Sequence, residues 1–327
     1  MKIKLIPFLH LIRYKNLLIV AATQYLMRYA IISPILGINE FELQLSSFHF
    51  FLLVLATIFI TAAGYVINDY FDTRTDILNR PDTVVVGRQI SRRAAIFMHW
   101  SLNFSGILLG FYLGFYIGVP MIGVLFIFVS GLLWFYSTTY NRQFLTGNII
   151  ISFLTALVPL MVVLFEIPLL NSEYGNVLQL NNASFNYIFA WVGSFGYFAF
   201  LTTMAREIIK DMEDFEGDKI QGRRSVPIVA GIAVSKMIVN GLIIVMLLSL
   251  AYLYKGYLMV GFYGETDYLS LVYFALFILL PSTVLILRLH KARTRKDYHI
   301  CNSMAKIIML TGLMYSLLVR YIILSSF

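Results

Sequence analysis

Two acidic runs stand out in this chain by residue type and spacing: Asn68, Asp69, Asp72 and Asp76, and, 142 positions later, Lys210, Asp211, Asp214 and Asp218. In each, three aspartates recur at i, i+3 and i+7, which on a helix places them on one face. Carboxylates one turn apart repel, and burial disfavours their charged form unless a cation neutralises them. The ligands are hard oxygens with no His or Cys nearby, so Mg²⁺ or Mn²⁺ is implied and zinc is not.

A magnesium ion held by few carboxylates completes its shell with substrate phosphate and water. Lys210 is placed to reach a diphosphate oxygen as a point charge, and Arg80, Arg88 and Arg93 follow the first run. Glu207, Glu213 and Glu216 fall off the shared face and are expected to face solvent. The bland alternative is a pair of solvated, charge-balanced loops; for the arginines it is membrane topology and lipid headgroups. The matched spacing of the two runs argues against it.

The elements that must position these residues are membrane helices. Of 327 residues 59% are hydrophobic and 13% charged, against roughly 45–50% and 25% in soluble domains, so the bilayer is the solvent. Apolar runs long enough to cross it are read at 16–37, 47–67, 95–115, 118–136, 147–168, 185–205, 226–253, 268–288 and 302–325. They are continuously apolar, whereas barrel strands alternate, so the fold class is an all-α integral membrane protein of about nine helices. No stretch remains for a soluble domain, and residues 1–327 read as one membrane domain.

Basic residues set the topology. Twenty of the 25 Lys and Arg side chains fall before the first span or in the loops after even-numbered spans, and one, Lys255, in a loop on the other side. By the positive-inside rule the N-terminus and both acidic runs are cytoplasmic and the C-terminus lies opposite. The net charge of +8 thus reflects topology rather than a nucleic-acid footprint. Cys301, the single cysteine, excludes a disulfide framework. The N-terminal segment, broken by Pro7, His10 and Arg13, is not expected to be a cleaved signal. Arg28, Lys236, Lys306 and Arg320 fall within spans; Arg28 raises a functional question, and snorkelling to an interface accounts for the others.

These residues resemble the UbiA superfamily of intramembrane prenyltransferases over nearly the whole length. The family pattern N-D-x-x-D-x-x-x-D is matched by Asn68, Asp69, Asp72 and Asp76, and its second motif by Asp211, Asp214 and Asp218. Arg13 and Asn16 match its R-x-x-N, followed by Asn79-Arg80-Pro81, Tyr136-Ser137, Arg142 and Lys210.

The resemblance implies nine helices bundled around a central chamber, with cytoplasmic cap loops after helices 2 and 6. It implies two Mg²⁺ ions held by Asn68 and the six motif aspartates, and an allylic diphosphate and lipophilic acceptor as partners in the bilayer. Arg13, Asn16, Asn68, Arg80, Arg88, Ser137, Arg142 and Lys210 are the implied substrate contacts. Asp72, Asp76, Asp211, Lys210 and Tyr136 are the implied catalytic groups, with Tyr136 offering its ring face to the allylic cation and Asp76 or Asp211 candidates for the base.

Asn79-Arg80-Pro81 with Gly87-Arg88-Gln89-Ile90-Ser91 looks most like the branch that makes digeranylgeranylglyceryl phosphate, which favours geranylgeranyl diphosphate as donor and geranylgeranylglyceryl phosphate as acceptor. Thr83 and Val84 stand where that branch carries a basic residue and a proline, which leaves aromatic acceptors of the hydroxybenzoate or dihydroxynaphthoate type open. A membrane cation carrier would place its acids near mid-bilayer instead. A CDP-alcohol phosphotransferase would show a D-G-x-x-A-R run, and soluble prenyl diphosphate synthases lack nine apolar spans.

Overall fold

The computed structural model describes residues 5–79, 84–180, 183–259 and 266–325, without the side chains of 74–76, 78 and 79. Among the described residues nine helices are long and apolar enough to cross a membrane: Tyr14–Gly37, Ser47–Thr73, Arg92–Tyr116, Pro120–Thr138, Thr146–Leu180, Asn186–Glu213, Gly231–Leu258, Tyr268–Lys291 and Arg295–Ser325. They are called spans one to nine below. A short helix, Leu5–Leu11, precedes them, and β structure among the described residues is limited to isolated pairings such as Val86 with Ile90. A chain without water as solvent has to satisfy its backbone internally, which helices do.

The observed helices depart from the hydropathy reading at their ends. The helix of span two runs to Asn79 and span six to Glu213, well past the apolar stretches, because charged residues can continue a helix out of the hydrocarbon. Span five continues through Pro159 and Pro168 to Leu180. The single run expected at 226–253 is broken: Val226–Val229 forms its own turn, and Gly231, at φ +84°, starts span seven. Only glycine adopts that backbone without a steric cost.

The described residues divide into two compact units. The first comprises residues 1–25, 42–142 and 158–189; the second comprises 26–41, 143–157 and 190–327.

Within the first unit a stripe of small residues sets the packing. Gly106 and Gly110 on span three let it approach its neighbours closely. A Cβ at Gly106 would meet Ile60 at 2.8 Å, and one at Gly110 would meet the Phe126 ring at 2.3 Å. Such small-residue contacts are how membrane helices gain dispersion energy where lipid removes the hydrophobic drive. His99 accompanies them, its Nδ1 3.0 Å from the Ala63 carbonyl, and Ser130 donates to Asn103 at 2.7 Å. The chain after span two folds back: Val85, Val86 and Ile90 bury with Leu11 and Val66, and the Ser91 hydroxyl caps span three by accepting from Ala94 N at 3.2 Å.

In the second unit, span one widens into a π-helical segment at Met27–Ile32, and the Arg320 guanidinium donates to the Tyr29 carbonyl. Lys236 donates to the carbonyls of Ala292 at 2.6 Å and His290 at 3.2 Å. It thus caps the end of span eight, a more specific role than snorkelling.

Candidate functional site

The first acidic motif lies on the last turns of span two, inside the first unit. Arg13 donates from Nη2 to Asp69 Oδ1 at 2.9 Å, and its guanidinium sits 4.9 Å from the Tyr65 ring centre. The Tyr65 hydroxyl accepts from the Asn16 side chain at 3.3 Å. Arg13 achieves this from a left-handed backbone, φ 50°, which for a non-glycine costs roughly 1–3 kcal/mol and is typical of a site that over-determines its geometry. The R-x-x-N pair and Asp69 are therefore brought together, with Tyr65 as a member the sequence reading missed.

Asp72 is buried. The amide nitrogen of Asn141 lies 3.3 and 3.2 Å from its two oxygens, delivered by the turn Tyr140–Arg142 after span four. Asn68 Oδ1 and Asn141 Oδ1 are both buried without a hydrogen-bond partner. Neutral amide oxygens suit a hard divalent cation and offer nothing to a soft one.

The other first-unit candidates are less committed. Ser137 spends its hydroxyl on the Leu133 carbonyl of its own helix at 2.9 Å, and Tyr136 is half-buried on the same turn. Arg88 and Arg142 are exposed, Arg88 beside Gly87 at φ +85°. Arg80, Pro81 and Thr83 lie outside the described residues, as does the side chain of Asp76.

The second motif, inside the second unit, is not one continuous helix. Span six ends at Glu213, Asp214 adopts φ −97° and ψ 8°, and a short helix resumes at Phe215–Ile220. The amides of Asp214 and Asp218 still bond to the carbonyls four residues back, at 2.9 and 3.0 Å, so the turn is kinked rather than lost. Asp211 accepts from Asn148 Nδ2 at 2.9 Å; Asn148 sits on the first turn of span five, its carbonyl taken by Ser152 Oγ at 2.6 Å. Asp218 is buried 3.7 Å from the Arg223 guanidinium, and Asp214 lies 3.7 Å from Arg295.

Glu207 and Glu213 were expected in solvent and are instead buried, at 7% and 6% exposure. Glu207 pairs with Arg206 and lies 3.7 Å from Lys210 Nζ, so Lys210 is positioned by a neighbour one turn back. Glu213 accepts from His299 Nδ1 at 3.0 Å and Asn302 Nδ2 at 2.9 Å. Glu216 is exposed as expected.

Among the described residues no three His, Cys, Asp or Glu side chains converge closely enough to hold a metal by themselves. An ion at either motif would draw on amide oxygens, substrate oxygens and water to complete its shell.

Comparison with known proteins points the same way. The model of the UbiA prenyltransferase family matches residues 40–311. The digeranylgeranylglyceryl phosphate synthase of Methanothermobacter thermautotrophicus is 31% identical over 86% of this chain and 85% of its own length. That of Methanobrevibacter smithii is 30% identical over 72% and 75%. Among solved structures, a digeranylgeranylglyceryl phosphate synthase aligns with TM-score 0.64 and 22% identity over 97% of this chain and 98% of that one. A UbiA homologue from Archaeoglobus fulgidus bound to DMAPP and Mg²⁺ aligns with TM-score 0.56 and 14% identity over 95% and 98%. Both likenesses establish the fold.

Proposed function

Because the chain belongs to the UbiA prenyltransferase family, we propose that it transfers a geranylgeranyl group from its diphosphate to geranylgeranylglyceryl phosphate, the second ether-forming step of an archaeal-type lipid. The enzyme is an integral, multi-pass membrane prenyltransferase. The observation that carries the donor half is the pairing of buried Asp72 with Asn141, together with the buried, unpartnered amide oxygens of Asn68 and Asn141. The acceptor half is supported by the product named for relatives that are about 30% identical.

In this reading Asn68, Asp69, Asp72 and Asp76 hold one Mg²⁺ ion and Asp211, Asp214 and Asp218 a second, with Mn²⁺ able to substitute. Bound divalent ions neutralise the diphosphate and make it a better leaving group. Asn141 orients the Asp72 carboxylate, and Arg13 balances Asp69. Glu207 holds Lys210 where its ammonium can meet a diphosphate oxygen. As the allylic carbon–oxygen bond breaks, Tyr136 offers its ring face to the cation, and the acceptor hydroxyl forms the new carbon–oxygen bond. Asp76 or Asp211 is the group assigned to take its proton. The N-terminus and both motifs are assigned to the cytoplasmic side by the charge bias of the loops.

The test is purified enzyme with labelled geranylgeranyl diphosphate, Mg²⁺ and a panel of acceptors. Ether formation on geranylgeranylglyceryl phosphate, none on hydroxybenzoate or dihydroxynaphthoate, and loss in Asp72→Ala and Asp214→Ala is the expected result. Transfer only to an aromatic acid would overturn the acceptor, and cation flux in liposomes without diphosphate release would overturn the enzyme.

A further inference from the structure

The start of span nine is fixed by a reciprocal cap. Asp297 Oδ2 accepts from Arg293 N at 3.0 Å, Thr294 N at 2.9 Å and Thr294 Oγ1 at 2.8 Å, and Thr294 Oγ1 in turn accepts from Asp297 N at 3.3 Å. This sets where the helix begins and so its rotation about its axis. Arg295, His299 and Asn302 then fall at i, i+4 and i+7, on one face. That face meets the end of span six and the residue after it three times: Arg295 at Asp214, and His299 and Asn302 at Glu213.

Glu213 is the residue at which span six ends, immediately before the kink at Asp214. It is 6% exposed and Asn302 4% exposed, so the Asn302 amide supplies a donor where water cannot readily replace it. We propose that this face of span nine is a positioning device for the second motif. Asn302 and His299 hold the Glu213 carboxylate, this anchors the helix end, and the anchored end sets the kink that aims Asp211 and Asp214. Glu213 thus uses both carboxylate oxygens as hydrogen-bond acceptors, and those bonds locate the neighbouring carboxylates. Partners that orient metal ligands from outside the coordination shell typically affect metal affinity by roughly 10- to 100-fold.

The proposal rests on the reading of Asp211 and Asp214 as metal ligands, and its test separates the two. Mn²⁺ binding is followed by electron paramagnetic resonance on the full-length protein in detergent, with a non-transferable geranylgeranyl thiolodiphosphate present. Asn302→Leu and Glu213→Leu are expected to weaken Mn²⁺ by roughly 10- to 100-fold. Glu213→Gln, whose amide still accepts from Asn302 and donates to a neutral His299, is expected to stay near wild type. The metal-free melting temperature is measured beside each. Wild-type Mn²⁺ affinity in folded Asn302→Leu and Glu213→Leu, with Asp214→Asn impaired, would overturn the positioning role alone. Loss in Glu213→Gln equal to that in Glu213→Leu, or loss that follows only the fall in melting temperature, would overturn it as well. A wild-type protein that binds no Mn²⁺ with the analogue would overturn the metal reading and this inference with it.

Discussion

Asn148 donates its side-chain amide to Oδ2 of Asp211 across 2.9 Å, so one oxygen of a motif carboxylate is held by a residue 63 positions away, on another helix. Both ends of the contact are on regular helix, which makes the geometry stiffer than a loop contact. Hydrogen bonds to a charged group contribute roughly 1.5–3 kcal/mol.

Asn148→Leu is expected to lower kcat/KM for diphosphate release by about tenfold or more, since ~1.4 kcal/mol is a factor of ten. Asn148→Asp sets a second carboxylate against Asp211, and a larger loss is expected, partly recovered at high Mg²⁺. Steady-state rates across a Mg²⁺ series distinguish the two; equal rates in wild type and Asn148→Leu would refute the role.

The ion pair of Arg13 with Asp69 is 40% exposed on the arginine side, and exposed pairs contribute about 0–1 kcal/mol. Arg13→Ala should therefore barely change the melting temperature while reducing transfer. Arg13→Lys should rescue poorly, because an ammonium lacks the planar face that lies over Tyr65. Full rescue by lysine would show that charge alone is needed.

Gly110 offers a stability test. A valine there meets the Phe126 ring, and overpacking of this kind costs roughly 1–3 kcal/mol. Thermal unfolding in detergent should show Gly110→Val melting well below wild type. Gly131→Ala, where a Cβ meets nothing within 4 Å, serves as the control.

Chelation should abolish transfer, and Mg²⁺ should restore it. Mn²⁺ should restore it too, whereas Ca²⁺, which prefers more ligands at longer distances, should do so poorly. Product formation after EDTA treatment and dialysis into each ion measures this; full activity in EDTA would refute a divalent requirement.

Much of the fold was legible because hydropathy alone separates spans from loops. Helix ends were not, since they are decided by contacts rather than composition. The Thr294 and Asp297 cap starts span nine ahead of the expected residue 302, and the kink at Asp214 interrupts a motif whose spacing reads as continuous helix. The acidic runs were legible through their shared period. The placement of Glu207 and Glu213 was misread because burial depends on partners the local sequence does not announce: His299 and Asn302 lie 86 and 89 residues from Glu213. Asn141 and Asn148 carried no periodic signal, although both flank the start of span five.

Glu166 is a carboxylate apart from either acidic motif. Glu166 on span five is fully buried and accepts from the backbone amides of Gln44, at 2.5 Å, and Leu45, at 3.1 Å. Glu166 lies near the end of the apolar stretch 147–168 and meets the loop between spans one and two, and its amide partners are made more than 120 residues earlier. The order of synthesis therefore matters: by the time span five leaves the ribosome, the loop that receives Glu166 has long been made. A late helix thereby docks onto an early loop.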